Sequence, residues 1–151
     1  MLPAVLQVLP DMGAGGVAQG VVEVAAALSR AGFRALVASA GGPGVAALEA
    51  AGAVHIALPL ATKSPLLILR NAARLAALIR AREVAIVHAR SRAPAWSAAL
   101  AARRAGAHFV TTVHGTYGHS GALKRRYNAV MAAGEVVIAI SEHISRHLTA
   151  V

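Results

Sequence analysis

Four short segments of this sequence collect residues able to bind or polarise a charged or hydroxylated ligand: residues 11–16 (DMGAGG), 88–92 (HARSR), 114–119 (HGTYGH) and 141–143 (SEH). Imidazole donates or accepts a hydrogen bond near neutral pH. Guanidinium offers a planar fork suited to phosphate or carboxylate, and glycine lets a ligand come close to the backbone. His114 beside Gly115 is the strongest single signal and the candidate catalytic residue. Gly15, Gly16, His88, Arg90, Gly115, Ser141 and Glu142 are candidate substrate-binding residues, with His88 and Arg90 suited to an anion. Arg92 reads as a solvated loop cation. Ser141 and Glu142 also fit an N-cap with a first-turn acid, and both readings stay open. His55, His108 and His147 fall outside these segments and read as structural or surface residues.

Such segments need elements to hold them, and the hydropathy pattern supplies these. Short apolar or β-branched runs at residues 4–9, 34–39, 54–58, 84–87, 108–113 and 136–140 alternate with stretches of helical spacing. One stripe runs Val17, Val21, Val24, Ala25, Leu28, and another Ile68, Ala72, Leu75, Ile79. Pro94 suits a helix start, Gly106 a helix stop, and residues 122–133 and 141–151 read as further helical segments. The alternation predicts a Rossmann-like three-layer α/β/α domain, its mainly parallel sheet of about six strands covered on both faces. Each candidate segment follows the carboxyl end of a strand, where open parallel sheets bind their ligands.

Composition narrows the chemistry. In 151 residues there is no cysteine, which excludes a disulfide framework, a thiolate zinc site and a cysteine nucleophile; no metal site is expected. A hydrophobic content of 57% excludes a disordered chain. The long charge-free run at residues 35–48 is interrupted by Gly41, Gly42, Pro43 and Gly44, so no stretch of about 18 apolar residues survives to span a membrane. The apolar N-terminus lacks a basic leader and reads as a first strand. A cytoplasmic location is the default expectation.

Fifteen Lys and Arg against six Asp and Glu give a net charge of +9 and point to an anionic partner. Aromatic residues are few (Phe33, Trp96, Phe109, Tyr117, Tyr127), which argues against base stacking, and no nucleic-acid partner is expected. The run Leu123-Lys124-Arg125-Arg126-Tyr127 combines cations with an apolar stripe. It fits either a basic helix lying on an anionic membrane surface or facing an acceptor, or an ordinary surface helix.

Gly13, Gly15 and Ala18 satisfy the dinucleotide pattern G-x-G-x-x-A. Three residues separate the first strand from Gly13, however, and the second strand ends in Ser39-Ala40-Gly41 with no acid to hold a ribose. A loop admitting a sugar-phosphate or an acceptor to the helix N-terminus fits better than a nicotinamide or flavin site, and a purely structural turn is the remaining alternative.

In order, Gly13 to Val17, the strand end IVHARS (residues 86–91), the strand end VTTVHG (110–115) and VIAISE (137–142) resemble the N-terminal domain of a group 1 (family 4) retaining glycosyltransferase of GT-B fold. The resemblance spans nearly the whole chain. It implies that residues 1–151 form the acceptor-side domain, facing a donor-binding second domain that this sequence does not contain, so that the chain alone would be inactive. It further implies that Gly15 and Gly16 admit donor phosphates or acceptor, that His114 contacts the transferred sugar, and that Arg90 and Ser141-Glu142 line the acceptor side. The partners implied are a nucleotide-sugar donor, used as substrate with no cofactor, and a saccharide or lipid-linked envelope acceptor such as a lipopolysaccharide precursor. The location would be cytoplasmic, peripheral at the inner face of the membrane. Ala18-Gln19 departs from the charged residues common at that helix start. An epimerase of sugar nucleotides or a dinucleotide-binding oxidoreductase on a similar scaffold is the alternative enzyme class, and a non-enzymatic binder of anionic surfaces a third.

Overall fold

In the computed structural model, residues 2–118 and 120–150 are described; His119, one of the crevice histidines singled out above, lies outside the described residues. Runs of Val, Leu and Ala form the strands, and the central ones, β1 (Ala4–Val8), β2 (Arg34–Ser39), β4 (Val84–Ala89) and β5 (His108–Val113), are mostly buried, as strands covered on two faces require. All of β1 is buried, as are five residues of β2. The strands β3 (Val54–Ala57) and β6 (Val136–Ala139) complete a six-stranded sheet in the order β3-β2-β1-β4-β5-β6. Every pairing is parallel. The chain therefore builds outward from β1 to β3, returns, and builds outward again from β4, leaving a topological switch between β1 and β4.

The helices are α1 (Gly16–Arg30), α2 (Val45–Ala50), α3 (Pro65–Ala81), α4 (Arg92–Ala105), α5 (Ala122–Asn128) and α6 (Glu142–Thr149). Val21 of α1 and Leu48 of α2 close one core with Leu9, Met12 and Val37. Leu75 and Ile79 of α3 and the alanines of α4 close the other with Leu6, Val8, Leu36 and Val87. Each large aliphatic side chain so buried contributes roughly 1.5–3 kcal/mol. Ala72 and Ala76 on α3 and Ala95, Ala98, Ala101 and Ala102 on α4 are buried, and such small side chains allow close helix packing. Ser97 Oγ then reaches the Ile68 carbonyl at 3.2 Å. Pro65 opens α3, and Gly106 stops α4 in a left-handed conformation (φ +74°) that few other residues adopt cheaply.

The expected three-layer α/β/α fold with six strands is the one observed, with three local corrections. First, β4 extends two residues beyond the expected 84–87, because the ladder to β1 continues through His88 and Ala89. Second, the helix expected over 122–133 is α5 followed by a 3-10 turn, Ala129–Ala132. The Asn128 side chain at that junction is engaged elsewhere, donating to the Gly118 carbonyl. Third, the sheet is not covered on both faces throughout: Val136, Val137 and Ile138 of β6 are exposed. Smaller shifts end β1, β3 and β6 one residue before the expected positions.

Candidate functional site

The loop after β1 is braced rather than free. Asp11 Oδ1 accepts from the Gly13 N–H at 2.9 Å, an Asx turn. Met12 exchanges two 2.8 Å hydrogen bonds with the loop after β2, its N–H to the Gly41 carbonyl and its carbonyl from the Gly44 N–H. Gly42 makes that approach feasible: its φ is +138°, and a Cβ there would stand 2.6 Å from the Met12 carbonyl oxygen. Gly15 and Gly16 are different. A Cβ at either would meet nothing within 4 Å, and Gly15 has an ordinary φ of −84°. Neither packing nor backbone conformation within this chain requires glycine at Gly15. Among the described residues no side chain caps α1, which leaves its first-turn N–H groups without a side-chain acceptor.

Across the switch point, β4 delivers His88 and Arg90. His88 is a buried strand residue rather than a loop residue, and its Nε2 lies 2.6 Å from Thr112 Oγ1 on β5. Burial, then the neighbouring Arg90, then His114 push its pKa down from 6.5 to about 4, so it is neutral at pH 7. Arg90 continues the ladder with an N–H bond to the Val8 carbonyl at 3.0 Å. Its side chain is only 7% exposed, yet it makes no ion pair among the described residues and its Nε has no partner. Burial lowers its pKa, but a guanidinium stays charged. The glycine at Gly20 of α1 makes room for it: a Cβ there would stand 2.9 Å from Arg90 Nη2.

His114 follows the last residue of β5 and is half-buried, with Nε2 buried and unpartnered. Burial first and Arg90 second lower its pKa. The site therefore holds one fixed positive charge and two neutral imidazoles in a poorly solvated setting. Such an arrangement can stabilise negative charge and hydrogen-bond a hydroxyl. A Cβ at Gly115 would also meet nothing within 4 Å.

The other candidates make contacts of their own. Ser141 Oγ accepts from the Ile144 N–H at 3.3 Å and caps α6, and exposed Glu142 pairs with Arg146 at 3.4 Å. Lys124, Arg125 and Arg126 are exposed on α5. Arg92 is not the solvated cation expected from sequence. Its guanidinium lies 4.3 Å from the Tyr117 ring centroid and 5.8 Å from that of Tyr127, and it donates to Asn128 Oδ1 at 2.7 Å. Those partners are 25 to 36 residues away, so no local pattern announces them. At the end of β2, buried Ser39 lies 2.8 Å from His55 Nε2 and accepts from the Gly41 N–H. Among the described residues, no three His, Asp or Glu side chains form a group that could hold a metal ion, and no helix is long and apolar enough to cross a membrane.

A 3-2-1-4-5-6 parallel sheet with a glycine loop, a buried arginine and a strand-end histidine converging at its switch point defines a Rossmann-like domain of the GT-B glycosyltransferase type. Residues 14–151 match Glycosyltransferase Family 4, and the chain belongs to that family. A glycosyltransferase from Rickettsia africae has 39% identity over 97% of this chain and 39% of its own, with a TM-score of 0.84. MurG of Acinetobacter baumannii superposes with a TM-score of 0.69 at 17% identity, over 94% of this chain and 42% of its own. The lipopolysaccharide outer core galactosyltransferase WaaB gives 0.67 at 14% identity, over 99% and 42%. The last two likenesses concern the fold alone. The chain thus spans about two-fifths of these solved structures. No curated protein matched the sequence.

Proposed function

We propose that this domain forms the acceptor side of a retaining, hexosyl-type transfer from a nucleotide-sugar donor, used as substrate without cofactor or metal, to a saccharide or lipid-linked envelope acceptor. The observation that carries the reading is the unpaired, buried Arg90 beside the neutral His114, with Gly15 and Gly16 at positions where a side chain would meet only open space.

In this reading Arg90 supplies positive charge where an anionic group must be held, at an orientation set beforehand by Gly20 and the β1 ladder. His114, its pKa lowered by burial and then by Arg90, offers its free Nε2 to a hydroxyl of the transferred sugar. His88 would serve with Arg90 on the side that holds the anionic group, as a buried neutral imidazole. Its bond to Thr112 fixes β4 against β5 and so positions the two functional side chains. Gly15, Gly16 and Gly115 leave room for donor or acceptor. Ser141 and Glu142 would contribute at the margin of the acceptor side, and the cations of α5 would face acceptor or the inner face of the cytoplasmic membrane. A second α/β domain would bring the donor, and the chain alone would be inactive.

The test begins with the coding sequence downstream of residue 151, sought for a second α/β domain, followed by assay of the full protein against a panel of labelled nucleotide-sugars. Transfer is expected, with His114→Ala lowering turnover about tenfold or more, the loss of one interaction worth ~1.4 kcal/mol in the transition state. Near wild-type turnover in a folded His114→Ala protein would remove that assignment.

A further inference from the structure

A separate open groove of about 720 Å³ is built by the chain that follows β3, β4 and β5. Ile68 of α3, Trp96 of α4 and Leu123 and Tyr127 of α5 make its apolar lining, and Lys63, Lys124 and Arg126 are its charged residues. The aromatic pair is held in place. Trp96 Nε1 donates to the Tyr127 carbonyl at 3.1 Å, the rings stack at 6.5 Å, and Lys63 Nζ stands 5.7 Å from the Tyr127 ring. Leu123, in the groove lining, is 85% exposed. A large aliphatic side chain left in water in a groove lined by aromatics marks a contact surface rather than a core.

Charge selects the occupant. No acid lines the groove, and the sequence holds no Asp or Glu at all between Glu83 and Glu135. An apolar slot bearing three cations and no anion is complementary to an amphiphile with a hydrocarbon part and a phosphate-type head. Tyr127, which lines the groove, lies 5.8 Å from the Arg92 guanidinium, and that guanidinium is 4.3 Å from Tyr117 in the loop after His114.

We propose that the groove holds the hydrocarbon segment of an anionic lipid-linked acceptor, with the adjoining phosphate on Lys63, Lys124 and Arg126. The proposal rests on the acceptor-side reading above and names the acceptor's class.

Trp96 is the only tryptophan in the chain, so its emission reports the groove directly. Monomeric decyl phosphate, kept below its micellar concentration, should shift that emission saturably. Leu123→Ser and the double change Lys124→Ser/Arg126→Ser should each weaken the response about tenfold, ~1.4 kcal/mol, with circular dichroism unchanged because these side chains are exposed. Inorganic phosphate and uncharged decyl maltoside should leave the emission unmoved. An equal response to phosphate alone, equal binding of decyl maltoside, or a response to anionic vesicles with none to the monomer would each overturn the proposal. The two readings separate cleanly. Sugar transfer by the full protein to a water-soluble acceptor, with Trp96 unresponsive to decyl phosphate, would remove the groove proposal and leave the functional one. Decyl phosphate binding without transfer from any donor would count against the functional one.

Discussion

Replacing His88 by glutamine should flatten the acid limb of this protein's stability curve. Folding lowers the His88 pKa from 6.5 to about 4, so the unfolded chain takes up the proton first. Native stability then falls with pH across the window from about 6.5 down to about 4 and is independent of this group above it. At about 1.36 kcal/mol per pH unit, the loss attributable to His88 reaches about 3 kcal/mol near pH 4, a large share of a typical domain's 5–15 kcal/mol. His88→Gln can still hydrogen-bond Thr112 but cannot titrate. Urea unfolding of both proteins between pH 4 and 7.5 isolates the term, because the remaining histidines and carboxylates are common to both. The wild-type free energy should drop about 3 kcal/mol more than the variant's. Parallel curves would refute the reasoning and mean that His88 takes its proton in the folded state as readily as in the unfolded one.

Other substitutions test the remaining inferences. Gly15→Ala should leave thermal stability within about 0.5 kcal/mol while reducing transfer by the full protein; unchanged transfer would make the open space beside Gly15 incidental. Gly42→Ala should cost about 1–3 kcal/mol in denaturant unfolding, from its positive φ and the approach to Met12, and a smaller effect would show that the brace yields. Gly20→Leu should lose a similar amount through displacement of Arg90, and Arg90→Ala in the same chain should restore part of it; additive losses in that cycle would disprove the contact. Ser141→Ala should cost about 1 kcal/mol through the lost cap, and unaltered transfer would confine Ser141 to that structural task.

The sheet and its helices were legible because their signal is local. Val21 and Ala25, or Leu75 and Ile79, repeat at helical spacing and are buried in the structure. The convergence of Arg90 and His114 was legible because strand ends of a parallel sheet share one edge. What escaped depends on distant partners. Arg92 looks solvated until Tyr117, Tyr127 and Asn128 fold around it. The expected strand stopped short of His88 because a histidine reads as polar, whereas the ladder and Thr112 accept it neutral. The groove joins Lys63, Trp96 and Leu123, on three separate segments whose proximity no sequence period encodes. Cover over β6 was expected from the general habit of parallel sheets, and the exposure of Val136 and Ile138 departs from it.

The alanine-lined contact between α3 and α4 sets an asymmetric tolerance to change. Where two helices meet through methyl groups, almost nothing can be trimmed and almost nothing added. A step from Ala98 or Ala101, both fully buried, to valine adds bulk to a packed interior and must displace a neighbour or distort a rotamer, at about 1–3 kcal/mol. In a saturation scan scored for folded protein, this seam should accept glycine or serine more readily than any larger aliphatic residue, the reverse of the order expected at Leu75 or Ile79. Substitutional drift in this half of the domain is then channelled into the leucines and isoleucines around the seam, while the seam itself holds its volume.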